Sequence, residues 1–317
     1  MNAETFAEWL RRQGYQVYQT ESSYWYTANP RVLQAFPYHW LIQPSDVELR
    51  KLILGKGIVA CRYSTPIEAP HGKVSYHAIY DQPGYTLEGL DRRARQNVRA
   101  GFKNCSVEKI SLERLAEEGW GLEMDTASRQ GRSAAVDRER WRRKYLAAVD
   151  LPGFEGWGAL VENRLVASLF SFQMDDCCEL ISQQCNREFL SARVNNALSF
   201  YVTELMINRP GIRSIFYTLQ SLDAPASVDE FKFRMGYVPK PLRQRVLFHP
   251  WLEPVVRSVG QKILKQLIRW QPENPALRKI QGMVNFYLEG RHPLQAQSWP
   301  ECLEPYKPGI LGIELEG

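Results

Sequence analysis

No stretch of this sequence approaches the roughly eighteen consecutive apolar residues that a membrane-crossing helix requires. The N-terminus carries Glu4 and Glu8 and no apolar segment behind a basic start, so it does not read as a secretory signal. Cysteine is sparse, with six in 317 residues, and no Cys-x-x-Cys pair occurs. Adjacent Cys177 and Cys178 must leave a strand on opposite faces. That pattern excludes a disulfide framework and predicts reduced thiols in a cytoplasmic protein. The five histidines (His39, His71, His77, His249, His292) lack ligand spacing, so no metal is expected. Charge of one sign is not abundant either: 40 Lys and Arg against 35 Asp and Glu leave +5. Such a mild excess speaks to partners rather than to fold. There is no internal repeat, and the first half has no glycine-rich phosphate loop.

What is present is an ordinary globular composition, 44% hydrophobic and 24% charged, long enough for two domains. Thr5, Phe6, Trp9 and Leu10 form one face of a first helix that Gly14 ends. Residues 15–20, 24–27, 58–63 and 74–80 read as strands. Ser45-Asp46-Val47-Glu48 is a capping box, predicting a helix over 46–54 closed by Gly55. Leu87, Leu90, Ala94, Val98 and Phe102 then recur at spacings of three and four, the stripe of an amphipathic helix over 87–103. Its other surface carries Arg92, Arg93, Arg95, Arg99 and Lys103. Such a face is either solvated or a wall that attracts phosphate, which arginine forks grip in pairs.

The most informative stretch runs from 157 to 241. Two apolar runs flank the polar turn Glu162-Asn163-Arg164, and a third strand-length run covers 178–185. A polar, irregular segment follows and opens a helix with Val194, Ala197, Leu198, Tyr201 and Leu205 on one face. Asn208-Arg209-Pro210-Gly211 stops it. A strand over 213–219 leads to a second capping box, Ser227-Val228-Asp229-Glu230, whose short helix ends at Gly236. Phe170, Phe172, Phe200, Tyr201, Phe216 and Tyr217 are at spacings more typical of core than of a ligand box. Beyond 250, a basic amphipathic helix spans 252–270. It either docks on its own domain, the commoner outcome, or touches an anionic membrane surface. A helix over 276–288 and a proline-rich loop from Pro293 complete the chain.

This element order, with Phe231-Lys232-Phe233-Arg234-Met235-Gly236-Tyr237 near its end, resembles the GNAT fold of acyltransferases. More narrowly it resembles the FemAB-like branch, which carries two GNAT-like domains. The F-K-x-x-x-G pattern that closes the second domain there is matched by Phe231, Lys232 and Gly236. Residues 90–103 are similar to the arginine-rich helix that joins the two domains. The resemblance covers 86–248. It implies an α+β protein: two GNAT-like domains, each a mixed, mostly antiparallel sheet flanked by helices, plus a C-terminal helical extension. The implied boundaries are 1–103, with the connecting helix at 87–103, then 104–250 and 251–317.

The resemblance also implies an N-acyltransferase activity and places its parts. An activated donor lies along a splayed strand, here 179–185, and its phosphates meet the start of the following helix, where the dipole favours anions. Arg193, Asn195 and Asn196 hold that position, with Arg95 and Arg99 as further phosphate ligands. The turn lacks the close glycines of a coenzyme-A loop. FemAB-like enzymes lack them too and take aminoacyl-tRNA, so the co-substrate is acyl-CoA or aminoacyl-tRNA, with tRNA or an acyl carrier protein as partner. Many GNAT enzymes place a tyrosine four residues before the glycine of the last helix. Lys232 stands here, suited to a developing oxyanion or a substrate phosphate. Tyr217 is the alternative proton donor, Glu179 a general base acting through water, and Asp223 faces the acceptor. The competing reading is a non-catalytic GNAT-like module that binds tRNA or another anionic partner through its basic helix.

Overall fold

Side chains that satisfy the first backbone N–H groups of each helix fix where the helices begin. Ser45, Asp91, Ser111 and Asp137 each accept the N–H three residues on, from Glu48, Ala94, Arg114 and Arg140. The structure, a computed structural model, describes residues 1–55, 57–131, 137–222, 226–260, 266, 269–271 and 274–312; the side chains of 226–229, 259, 260 and 275 lie outside that description. In chain order the elements are α1 (Ala3–Arg12), β1 (Val17–Gln19), β2 (Tyr24–Asn29), β3 (Val32–Phe36), α2 (Asp46–Leu54), β4 (Ala60–Thr65) and β5 (Lys73–Tyr80). Then come α3 (Arg92–Asn104), β6 (Ser106–Ile110), α4 (Leu112–Glu118), α5 (Trp120–Arg129), α6 (Arg138–Leu146), β7 (Phe154–Val161) and β8 (Arg164–Met174). They are followed by β9 (Cys177–Cys185), α7 (Val194–Ile207), β10 (Ser214–Leu219), α8 (Ala226–Arg234) and β11 (Val238–Phe248). The protein is α+β, with a mixed sheet flanked by helices.

The chain forms two compact units. The first comprises Met1–Gly14, Ala78–Thr218 and Pro225–Val238. Its strands lie in the order β10-β9-β8-β7-β6, antiparallel throughout except for the parallel pair β9 and β10. Alternation along these strands sends Trp157, Leu169, Cys178 and Leu180 into one core with Val98 of α3 and Val194, Leu198 and Val202 of α7. Phe154, Phe170 and Phe172 emerge on the other face and pack against the rings of Phe6 and Trp9 of α1 and Tyr145 of α6. The aromatic residues Phe170, Phe172, Phe200 and Phe216 are buried, as their spacing predicts, whereas Tyr201 and Tyr217 are only half-buried.

The second unit comprises Tyr15–His77, Leu219–Ala224 and Pro239–Gly317. Its strand order is β1-β2-β3-β4-β11-β5, with β3 and β4 parallel. One face packs on α2 through Trp25, Leu33, Leu49, Leu52, Cys61 and Tyr63. The other carries Ala60 and Val246 against the helix Pro275–Glu289 through Met283, Val284 and Tyr287. The six cysteines form no disulfide.

Three expectations change. α8 begins at Ala226, so Ser227 sits in its first turn rather than ahead of it. Of the helix expected over 252–270, the described residues show a helical turn, Glu253–Val255, a π-helical turn, Val256–Gly260, and helical residues at 266, 269 and 270; the rest lies outside the described residues. The segment after Pro293 is not all loop. It holds 3-10 turns at Leu294–Ala296 and Glu301–Tyr306 and a short helix, Lys307–Leu311, whose Pro308 lies in the first turn, where a proline costs no hydrogen bond. The amphipathic helix expected over 87–103 begins only at Arg92, because Asp91 caps it, and the stretch after it holds β6 and three helices. No helix among the described residues is long and apolar enough to cross a membrane.

Candidate functional site

The site is built on a ladder that stops early. β9 and β10 pair in parallel at Ser214 with Cys177, Ile215 with Cys178 and Phe216 with Glu179. Both strands then continue apart, β9 to Cys185 and β10 to Leu219. The cause is visible on the opposite edge of β9. Against β8, Phe170 faces Ser182 while Ser171 faces Leu180, so Ile181 is an extra residue. A bulge of this kind bends and twists its strand, which turns the far half of β9 away from β10.

Side chains bridge the gap so formed. The Tyr217 hydroxyl donates to Oε1 of Gln183 at 2.7 Å, and Nε2 of Gln183 donates to Oδ1 of Asn195 at 2.8 Å. Two strands and the first turn of α7 are thereby linked by one amide. Burial raises the Tyr217 phenol above the ordinary tyrosine range, so it is a proton donor throughout the physiological range. Its ring meets Tyr237 edge-on, with centroids 4.9 Å apart, and Tyr237 in turn shares a 2.6 Å hydrogen bond with Thr203. Tyr237 is thus packing after the helix cap.

Lys232, on α8, is only 6% exposed, and its Nζ lies 5.7 Å from the centroid of the Tyr217 ring. The cation therefore sits over an aromatic face, a favourable arrangement for a desolvated ammonium. Gly236 ends the helix at φ +86, a conformation that L side chains avoid. The carbonyl of the preceding Met235 accepts the Tyr85 hydroxyl at 2.7 Å, and Tyr237 N–H returns to the Lys232 carbonyl at 3.2 Å. These contacts fix the turn that follows Lys232. Glu179 is buried, at 1% exposure, on the last shared rung.

The start of α7 is equally constrained. Arg193 is left-handed at φ 61 and holds the N-cap position without a side-chain capping bond; its own side chain is exposed. A Cβ at Gly101 of α3 would lie 2.4 Å from the Arg193 carbonyl oxygen. Only glycine permits that approach. Asn196 donates to the sulfur of Met235 at 3.6 Å, tying α7 to the turn after Lys232.

Tyr217, Lys232 and Asn195 thus come together, and Glu179 stands at the root of the same gap. Arg95 and Arg99 lie instead on α3; Arg99 is exposed, with Glu88 4.0 Å away. Asp223 lies outside the described residues. Sequence reasoning missed Gln183, the bridge across the gap; its signal was a pair of adjacent glutamines, 183 and 184, near the end of the strand. Among the described residues no group of three His, Cys, Asp or Glu is placed to hold a metal ion.

No family model matches this sequence, and no curated protein does either. Solved structures do share its fold. FemX is similar at 10% identity and a TM-score of 0.55, over 81% of this chain and 93% of its own. The C-terminal DUF2156 domain of a putative lysylphosphatidylglycerol synthetase from Agrobacterium fabrum matches at 10% identity and a TM-score of 0.52, over 76% of this chain and 87% of that one. L-PGS from Bacillus licheniformis matches at 12% identity and a TM-score of 0.51, over 84% and 97%. At such identities the likeness is one of fold.

Proposed function

We propose that this protein is an acyltransferase of the FemAB-like kind, moving an acyl or aminoacyl group from an activated carrier to an amine or hydroxyl acceptor. The observation that carries the reading is the parting of β9 and β10 after the Glu179–Phe216 rung, with a buried lysine beside the gap. A strand freed from its neighbour presents unpaired backbone groups along which an extended donor arm can lie. Lys232 then stabilises the oxyanion that develops at the acyl carbonyl, and Tyr217 returns a proton to the leaving group. The start of α7, with Asn195 and Asn196, receives the donor's phosphates. The donor is aminoacyl-tRNA or an acyl thioester of coenzyme A or carrier protein, and the two units are a tandem of GNAT-like domains.

The test is a transfer assay with labelled acetyl-CoA, longer acyl-CoAs and charged tRNA as donors and small amines as acceptors. Label reaching the amine, and lost in the Lys232→Met variant, supports the reading. A thermal-shift screen of the same donors reports binding alone, since ligand at a hundred times Kd adds about 2.7 kcal/mol. One feature favours a second reading, the exposed arginines of α3 at 92, 93 and 99. Salt-sensitive tRNA binding without transfer from any donor would favour a non-catalytic anion-binding module.

A further inference from the structure

The freed half of β9 has a second side. Gln183 points toward α7 and Tyr217, whereas Ser182 and Gln184 point toward α5 and α6. There Nζ of Lys144 lies 2.7 Å from Oγ of Ser182, and the Tyr145 hydroxyl lies 3.5 Å from the same oxygen. Trp9 of α1 donates its indole N–H to the Lys144 carbonyl at 2.7 Å, which pins this turn of α6. Ser182 is half-buried and follows the extra residue Ile181 directly, so it stands where β9 bends out of register.

The surroundings of Lys144 are apolar. Its Nζ is walled by the rings of Tyr145, Phe170 and Trp141, with centroids at 5.1, 5.6 and 5.9 Å. Glu123 of α5, which accepts from Gln184 at 3.0 Å, is the carboxylate whose charge reaches it. The rings and Glu123 favour the ammonium, while burial disfavours it. Burial wins and brings the Lys144 pKa down from 10.5 to about 8. As an ammonium, Nζ donates to Oγ of Ser182; near that pH a large fraction of the amine is neutral and can accept from the hydroxyl instead.

We propose that Ser182 and Lys144 are a nucleophile and general-base pair through which the acyl group passes. This inference rests on the acyl-transfer reading of the β9–β10 gap. Neutral Lys144 takes the proton from Ser182 as Oγ attacks the donor carbonyl. The carbonyl–heteroatom bond to the carrier breaks, and in this two-step route the Lys144 ammonium, in place of Tyr217, returns the proton to the departing thiolate or alkoxide. The product is an acyl ester on Ser182 and free carrier. An acceptor amine or hydroxyl then attacks that ester, releasing acylated acceptor and Ser182, with the proton again passing through Lys144. A serine hydroxyl is weak alone and needs such an adjacent base. The donor lies along one side of β9 and its carbonyl reaches Ser182 where the bulge opens the sheet.

The test uses p-nitrophenyl acetate, an activated acyl ester that needs no carrier recognition, on the full chain at pH 8. The expected result is a stoichiometric burst of p-nitrophenolate, a mass gain of one acetyl group and its mapping to Ser182. Ser182→Ala removes the label. Lys144→Arg keeps the charge and the hydrogen-bond donor but cannot act as a base, and lowers the burst rate by about 100-fold or more. The burst rate of the natural protein climbs with pH through the Lys144 range. An unlabelled protein, label retained in Ser182→Ala, label on Lys144 itself or full activity in Lys144→Arg each overturns the proposal. Donor-to-amine transfer that persists in Ser182→Ala likewise overturns the two-step route while leaving the acyltransferase reading standing.

Discussion

Glu179 and Phe216 are the last residues at which β9 and β10 face one another, and everything beyond them in the candidate site depends on that rung. One amide spans the space that follows: Gln183 accepts from Tyr217 and donates to Asn195. If the gap receives the donor, Gln183 holds it open at a fixed width. Gln183→Leu keeps the volume and removes both hydrogen bonds, leaving the Tyr217 hydroxyl without its partner. Donor affinity is expected to fall by about 10-fold, in line with about 1–2 kcal/mol for a lost hydrogen bond. Titration of the donor identified by the transfer assay, variant against natural chain, checks this.

Lys232→Met keeps the aliphatic stem and removes the charge. Because Lys232 is buried over the Tyr217 ring, the methionine is expected to pack in its place with little change in Tm. Turnover should drop by about 10²–10³-fold, the usual cost of deleting one group that stabilises an oxyanion. Wild-type turnover in this variant, measured at saturating donor, would remove Lys232 from the mechanism.

Gly101→Ala tests the α3–α7 contact rather than chemistry. The new methyl group would stand 2.4 Å from the Arg193 carbonyl oxygen and 2.8 Å from the Ala197 methyl. Backbone cannot yield as a flexible side chain does, so the helices must separate. A loss of about 1–3 kcal/mol is expected, read as a lower urea midpoint with an unchanged slope.

The reach of the sequence can be judged residue by residue. Ser45 and Gly55 bound α2 as capping chemistry requires, and the Asn208-Arg209-Pro210-Gly211 stop sits at the end of α7. Those signals are local, a side chain acting on backbone within a turn. The parallel meeting of β9 with β10 is not local, yet apolar and β-branched runs predicted strands at both places. What stayed hidden was the run from Arg138 to Lys144, where Arg138, Glu139, Arg140, Arg142, Arg143 and Lys144 look like a solvated charged face. Trp141 and Tyr145 nevertheless turn inward, and Lys144 goes with them, because a long aliphatic stem packs on rings as readily as an apolar residue does. The bulge at Ile181 was equally illegible. Nothing in Leu180-Ile181-Ser182-Gln183 marks which residue lacks a partner, since that depends on the register with β8.

His77 predicts how the second unit responds to acid. It is buried, its ring nitrogen 2.9 Å from the Ser64 hydroxyl, and burial pushes its pKa from 6.5 down to about 3, with His39 and Arg62 adding to the effect. The folded state therefore holds His77 neutral between those values while the unfolded chain takes up a proton. Because the unfolded state binds more protons there, stability is complete above about pH 6.5 and is lost progressively as the pH falls toward 3. His77→Gln keeps a polar partner for Ser64 without a titrating group, and its Tm should decline less than that of the natural chain between pH 6.5 and 4.

Lys144 predicts the opposite end of the scale. Its pKa is about 8 in the folded protein and near 10.5 in the unfolded chain. Between these values the unfolded chain again carries the extra proton, so this group makes stability rise with pH, from about 8 toward 10.5. Below pH 8 both states are protonated, and the folded one bears the full cost of a desolvated ammonium. Lys144→Met removes that cost and the dependence together. The variant is expected to melt higher than the natural chain at pH 7, with the difference shrinking as the pH approaches 10. Parallel Tm curves for the two proteins across that range would mean that Lys144 is solvated, and the neutral amine needed to deprotonate Ser182 would then be scarce.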